Sequence, residues 1–248
     1  MDSLVAAAGS GMRSRIETLD VLANNIANAG TAGYKADGES YNTYFGQSAW
    51  EGYDEGRPPG VEMPVLERNW TDFSQGALVQ TGSNSDLALT SAGFFVVNTP
   101  SGQAYTRNGH FRVSRKGELQ TQEGYSLSGA GGKSIVVNPD RNFEVSVSGQ
   151  IRQDGVTVGT LAIMNGNNPP DSGKTGSGYF SFSPSSKVQA IANPEIVQGA
   201  VEMSNVTPAT AAVKLVNVMR SFEMLQKAVM MANEMDKKVV DEVAHVTA

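Results

Sequence analysis

The chain contains no cysteine, so disulfides, thiolate metal sites and a cysteine nucleophile are excluded. Such a chain suits either redox compartment. Histidine is nearly absent too: His110 and His245 are the two, and neither sits at metal-ligand spacing from a second histidine or a carboxylate cluster. Charged residues make up only 18% of the chain and the net charge is −6, without the basic footprint of nucleic-acid binders. No stretch approaches the ~20 consecutive apolar residues of a membrane span. The first residues, Met1-Asp2-Ser3-Leu4-Val5, place an acid where a secretory signal carries bases, so export is expected without a cleaved signal of that kind.

Catalytic patterns are missing as well. No serine lies in a Gly-x-Ser-x-Gly elbow. Gly129-Ala130-Gly131-Gly132-Lys133-Ser134 has the flavour of a phosphate loop, but Leu127 stands where the first glycine belongs. A strand-like Ile135-Val136-Val137 follows instead of a helix. The segment reads as a turn. Glu51, Asp54 and Glu55 belong to a solvated acidic stretch and fit a charged surface better than an acid/base pair. The expectation is a non-enzymatic protein with no catalytic residue, no cofactor, no metal and no small-molecule substrate.

What is present is a chain of 248 residues, 40% of them hydrophobic, with sharply uneven charge. Residues 36–75 hold eight acids and two bases, which accounts for the whole net charge. Residues 34–75 also hold Tyr34, Tyr41, Tyr44, Phe45, Trp50, Tyr53, Trp70 and Phe73, including both tryptophans. This segment reads as an extended acidic arm rather than a regular element. It either packs on its own subunit or contacts a neighbour, since aromatics are enriched at interface cores.

The two ends read as helices. Over residues 3–29, Val5, Ala8, Met12, Leu19, Leu22, Ile26 and Ala29 recur at spacings of three and four, broken at Arg15. Asn28-Ala29-Gly30 supplies a glycine stop. Gly9 and Gly11 weaken this helix by about 1 kcal/mol each. At the other end, Thr207-Pro208 is an N-cap with proline at the first helical position. Leu215, Val218, Phe222, Leu225, Val229, Ala232, Val239 and Val243 then continue a heptad seam, broken at Asp236. Pairing the two seams leaves Met219, Met224, Met230 and Met231 for helices of neighbouring copies. Free helices of this kind gain order on assembly.

Between them the chain is β-rich. Strand-like runs such as Asp86–Thr90, Gly93–Val97, Ala104–Thr106 and Tyr179–Phe182 are separated by Gly, Asn and Ser turns. Asn108-Gly109 is a strong hairpin signal. The fold class expected is α+β, with terminal helices forming a coiled-coil domain around an elongated antiparallel β-domain. Its divisions fall at 1–33 (helix), 34–75 (arm), 76–203 (β) and 204–248 (helix).

Three motifs resemble one known family. Leu22-Ala23-Asn24-Asn25-Ile26-Ala27-Asn28 with Thr31-Ala32-Gly33-Tyr34-Lys35 is similar to the N-terminal signature of bacterial flagellar rod and hook proteins. Asp86–Thr90, Gly93–Val97, Tyr105-Thr106-Arg107-Asn108-Gly109 and Gly124-Tyr125 resemble its β-domain, and Gln198–Val206 with the following helix its C-terminal part. The resemblance implies an inner tube of terminal helices, export through the flagellar type III apparatus, and axial stacking with copies of itself and other rod subunits. Length and Arg220-Ser221-Phe222-Glu223 look most like proximal-rod members.

The expected assembly interface comprises Leu19, Leu22, Asn24, Asn25, Ile26, Asn28, Gly33, Tyr34, Trp50, Asn205, Leu215, Val218, Phe222, Leu225 and Val229. Asn24, Asn25 and Asn28 either form the polar face and end-cap of a helix or bond across helices to fix register. Two alternatives stand beside this reading. One is a distal-rod or hook subunit of the same family; the other is a polysaccharide-binding or hydrolytic β-domain on an oligomerisation stalk.

Overall fold

A computed structural model describes residues 2–45, 62–166, 172–174, 176, 178–182 and 188–246. The chain forms two units. The first comprises Met1–Ala27, Asp37–Trp70 and Pro208–Ala248; the second comprises Asn28–Ala36 and Thr71–Thr207.

In the first unit, helix α1 (Asp2–Ala27) lies in contact with helix α2 (Pro208–Val246). Proline opens α2, where its missing N–H costs no hydrogen bond. At 39 residues and ~1.5 Å per residue, α2 is roughly 58 Å long. Leu215, Val218, Phe222, Leu225 and Val229 are all half-buried, and Ala211 and Ala232 are buried. The three-and-four spacing therefore marks the covered stripe of the helix. Arg15, which breaks the α1 seam, is exposed. Gly11 has a packing role that the sequence does not show: a Cβ there would stand 3.3 Å from Leu225 Cδ1. The two helices approach closely at this point.

The same unit contains strands β1 (Asp37–Phe45) and β2 (Glu62–Thr71), paired in a two-stranded sheet. The sequence reading treats this stretch as irregular, and the structure differs. Tyr41, Thr43, Tyr44 and Phe45, like Val65, Trp70 and Thr71, are strand formers. Interspersed Asp, Glu and Asn, which strands disfavour, obscure them. Gly38 lies beneath the Trp70 indole; a Cβ would meet its ring at 2.6 Å.

The second unit is built on a nine-stranded sheet. Strands β3 (Leu78–Gln80) and β4 (Leu87–Leu89) pair with Ala200–Glu202 and Ile196–Gln198 respectively. At the centre of the large sheet, β5 (Phe94–Thr99) pairs antiparallel with β6 (Gly102–Thr106), in the register Phe95↔Thr106 to Thr99↔Gly102. Phe94 to Val97 are all buried, because both faces of β5 are covered and its apolar run is continuous rather than alternating. Phe95 and Val97 enter a core with Leu87, Phe111, Leu119, Leu127, Ile151 and Leu161. Each such side chain contributes about 1.5–3 kcal/mol by leaving water. On the other face Phe94 packs against Phe73 and Phe180 at centroid distances of 5.4 Å each.

Glycines turn the chain at Pro100-Ser101-Gly102 and Lys116-Gly117, with Gly102 at φ +123° and Gly117 at φ +82°. Asn108-Gly109 does not make a hairpin. Gly109 instead lets Leu87 N donate to Gly109 O at 3.0 Å, in an approach where a Cβ would lie 1.6 Å from Leu87 O. The two-residue turn is Asp154-Gly155, at φ +52° and +78°, between the paired strands Gln150–Gln153 and Val156–Thr160. Both residues adopt the left-handed conformation that primed hairpin turns require.

Tyr179, on the strand beside β6, donates to Glu123 Oε2 at 2.5 Å. Burial and this hydrogen bond push the phenol above its ordinary range. The folded state therefore holds the proton more tightly than the unfolded chain. The resulting stability is complete below pH ~10 and is lost as pH rises further. Tyr179→Phe is expected to flatten the loss of urea stability above pH ~10. An unchanged alkaline slope contradicts this assignment.

Candidate assembly site and its buried junction

Glu202 ends the strand Ala200–Glu202 with its side chain fully buried. Its carboxylate is matched on both oxygens. Oε1 accepts from Lys35 Nζ at 2.6 Å and from Gly76 N at 2.9 Å. Oε2 accepts from Arg107 Nη1 at 3.1 Å. Lys35 is itself fully buried and donates also to Ser74 O at 2.6 Å. Arg107 donates through Nη2 to Ser91 O at 2.9 Å, and its guanidinium lies 5.5 Å from the Phe94 ring centroid. Burial lowers the Lys35 and Arg107 pKa values from their ordinary ranges, and Glu202 opposes the shift in both cases.

Desolvating three charges costs several kcal/mol per ion, which only close pairing and complete hydrogen bonding offset. The net gain in stability over an apolar cluster is small. What the network fixes is which segments meet: the chain leaving α1, the residue after β6, and the chain leading to α2.

The surrounding backbone is drawn in as tightly. Gly33 N donates to Glu202 O at 2.7 Å. Gly33 has φ +69°, and a Cβ there would lie 2.2 Å from Asn108 N. The left-handed glycine after α1 is thus Gly33 rather than Gly30. Helix α1 ends at Ala27, and Thr31 N→Asn28 O at 3.0 Å starts the turn that follows. Lys174 Nζ donates to Lys35 O at 2.7 Å and stands 4.3 Å from the Tyr34 ring centroid.

Two asparagines hold the ends of the acidic arm. In the first unit, Asn25 Nδ2 donates to Asp37 O at 2.8 Å, and Asn25 Oδ1 accepts from Asp37 N at 2.9 Å. A side-chain amide here copies a strand rung. In the second unit, Asn205 Oδ1 accepts from Ala36 N at 2.8 Å while its Nδ2 donates to Asp72 O at 2.8 Å. Asp72 N also donates to Ala36 O at 2.8 Å.

The expected site residues therefore fall into two sets. Gly33, Tyr34, Asn25 and Asn205 make these bonds inside the subunit, and Asn28 turns the chain. Leu19, Ile26, Leu215, Val218, Phe222, Leu225 and Val229 are half-buried on the helices, Leu22 is buried, and Asn24 is exposed. Trp50 lies outside the described residues. Sequence reasoning missed the ion network itself. Lys35, Arg107 and Glu202 each stand as the one charge in their motif, and that isolation is the signal available in the sequence. Among the described residues no group of three or more metal-ligating side chains occurs, and no helix is long and apolar enough to cross a membrane.

Glu202→Gln leaves two buried cations facing a neutral amide. It is expected to cost about 3–5 kcal/mol in urea unfolding of the full chain. Gly33→Ala is expected to cost about 1–3 kcal/mol from its left-handed backbone alone, before the collision with Asn108. Losses below ~1 kcal/mol in both would remove the junction from its structural role.

Three family models match segments of the chain. Residues 6–35 match the family described as "Flagella basal body rod protein", residues 88–156 match "Flagellar hook protein FlgE/F/G D1 domain", and residues 197–242 match "Flagellar basal body rod FlgEFG protein C-terminal". Lys35, Arg107 and Glu202 fall one in each. Flagellar basal-body rod protein FlgF of Caulobacter vibrioides is 29% identical over 248 residues, covering 99% of this chain and 100% of the relative. FlgF of Mesorhizobium japonicum is 30% identical over 225 residues, 90% of this chain and 89% of the relative. Flagellar basal-body rod protein FlgG of Bacillus subtilis is 27% identical over 255 residues, 94% and 96% of the two chains. The chain belongs to the flagellar basal-body rod protein family, a structural rather than an enzymatic one.

Proposed function

We propose that this chain is a proximal-rod subunit, stacking with copies of itself and other rod subunits into a hollow axial tube that carries torque and passes exported protein. Three FlgF relatives at 29–31% identity, beside FlgG relatives at 27–28%, favour the proximal over the distal assignment, as does Arg220-Ser221-Phe222-Glu223. The distal-rod subunit is the second reading. Export through the flagellar type III apparatus, without a cleaved signal, goes with either.

The observation that carries polymerisation is the outward face of α2. Val213, Val216, Met219, Met224, Met230, Met231 and Met235 are all exposed on it. At 100° per residue Val213, Val216, Met224, Met231 and Met235 lie on the side of the helix away from the Leu215–Val229 seam, interleaved with the exposed Arg220, Glu223, Lys227 and Glu234, while Met219 and Met230 flank the seam. A helix with a covered seam and further exposed valines and methionines has partners for both. One is α1; the other is a helix of a neighbouring subunit. The seam residues, with Leu19, Leu22 and Ile26, align the pair, while the acidic arm supplies a lateral contact. The helices gain their full order only in the polymer.

Val213→Asp with Met224→Glu is expected to raise the concentration needed for sedimentable polymer about tenfold or more, while leaving urea stability within ~0.5 kcal/mol. Circular dichroism of the free subunit is expected to show less helix than the 26 and 39 residues of α1 and α2. Polymerisation indifferent to the double substitution rejects the helical-face reading. Restoration of motility in a strain lacking FlgG but not in one lacking FlgF rejects the proximal assignment.

A further inference from the structure

We propose that the methionine face of α2 is an oxidant-directed modification site, and that its oxidation to methionine sulfoxide keeps a subunit out of the polymer. The inference rests on the helical-face reading above. With no cysteine in the chain, methionine carries all of its oxidisable sulfur. Half of the ten methionines fall within Met219–Met235, and their exposure there runs from 49% to 62%. Met12, Met164 and Met203 are half-buried. On α2, Leu215, Val218, Phe222, Leu225 and Val229 form the covered seam, which contains no methionine; Met219 and Met230 flank it, and Met224, Met231 and Met235 lie on the far side.

The chemistry is direct. The thioether sulfur attacks a peroxide oxygen, the S–O bond forms, the O–O bond breaks and water leaves. Sulfur loses two electrons and peroxide gains them. The product is a polar, chiral sulfoxide in place of a flexible apolar chain. On the seam such a change would unsettle the subunit. On the outward face it leaves the fold intact and puts polar groups where a neighbouring helix would desolvate them. Once assembled, the same sulfurs are covered, so the free subunit is the form that oxidant reaches.

The full-length subunit is treated with hydrogen peroxide and its methionine peptides are followed by mass spectrometry, before and after polymerisation. The α2 methionines are expected to gain oxygen faster than Met164 and Met203 of the β unit, and to be protected in polymer. Oxidised subunit is expected to need a concentration about tenfold higher to sediment, with its urea midpoint unchanged. Methionine sulfoxide reductases should restore assembly. A variant with all five residues changed to leucine should assemble normally and ignore peroxide. Oxidised subunit that assembles as well as reduced subunit overturns the proposal while leaving the helical-face reading intact. If Val213→Asp with Met224→Glu also has no effect on assembly, that reading fails and the proposal falls with it.

Discussion

A carboxylate, an ammonium and a guanidinium withdrawn together from water cost more than most single interactions return, and a fold tolerates them only where they are closely paired and hydrogen-bonded. The Glu202 carboxylate meets that demand with Lys35, Arg107 and the Gly76 amide. Residues 35 and 202 stand far apart in sequence, and pairing them closes a long loop at an entropic cost that rises only slowly with length. The close glycines are part of the same constraint. Gly33 and Gly76 bring main chain where a Cβ would fall 2.2 Å from Asn108 N and 1.9 Å from Met203 O. A side chain at either position would push the backbone outward and open the charge network to water.

Much of the architecture is legible in the sequence because it rests on local periodicity. The three-and-four spacing of Leu215, Val218, Phe222, Leu225 and Val229 is written in the chain, and so are the proline that starts α2 and the strand runs Phe94–Val97 and Tyr179–Phe182. The illegible parts depend on what arrives from far away. Gly109 looks like half of a hairpin turn until the Leu87 carbonyl is seen against it. Gly11 looks like a helix defect until Leu225 occupies the space above it. Asn25 and Asn205 advertise hydrogen-bonding capacity but not its direction, and both spend it within the subunit, on main chain at 2.8–2.9 Å.

The two kinds of cohesion sit in different units. The β unit joins its far-apart segments through ions, amides and close-packed glycines, interactions with strict geometry that admit one arrangement. The helical unit is held by a stripe of branched and aromatic residues, and its outer surface carries exposed methionines and valines among charged side chains. Apolar contacts of that sort are non-directional, and methionine adapts its shape to what it meets. A subunit built this way combines a rigid body with a surface that accepts more than one neighbour.

The rung between Asp72 N and Ala36 O bears on how such a chain can change over time. It brings the two ends of the acidic segment to one point, with Asn205 bonded to both. An excursion that starts and finishes at the same hydrogen bond adds little closure cost as it grows, since each doubling of its length adds only about 0.6 kcal/mol. Residues can be gained, lost or exchanged between those feet while the framework beneath keeps its register. That makes this stretch a place where a lineage can rewrite one surface of the subunit and leave the rest of the molecule as it was.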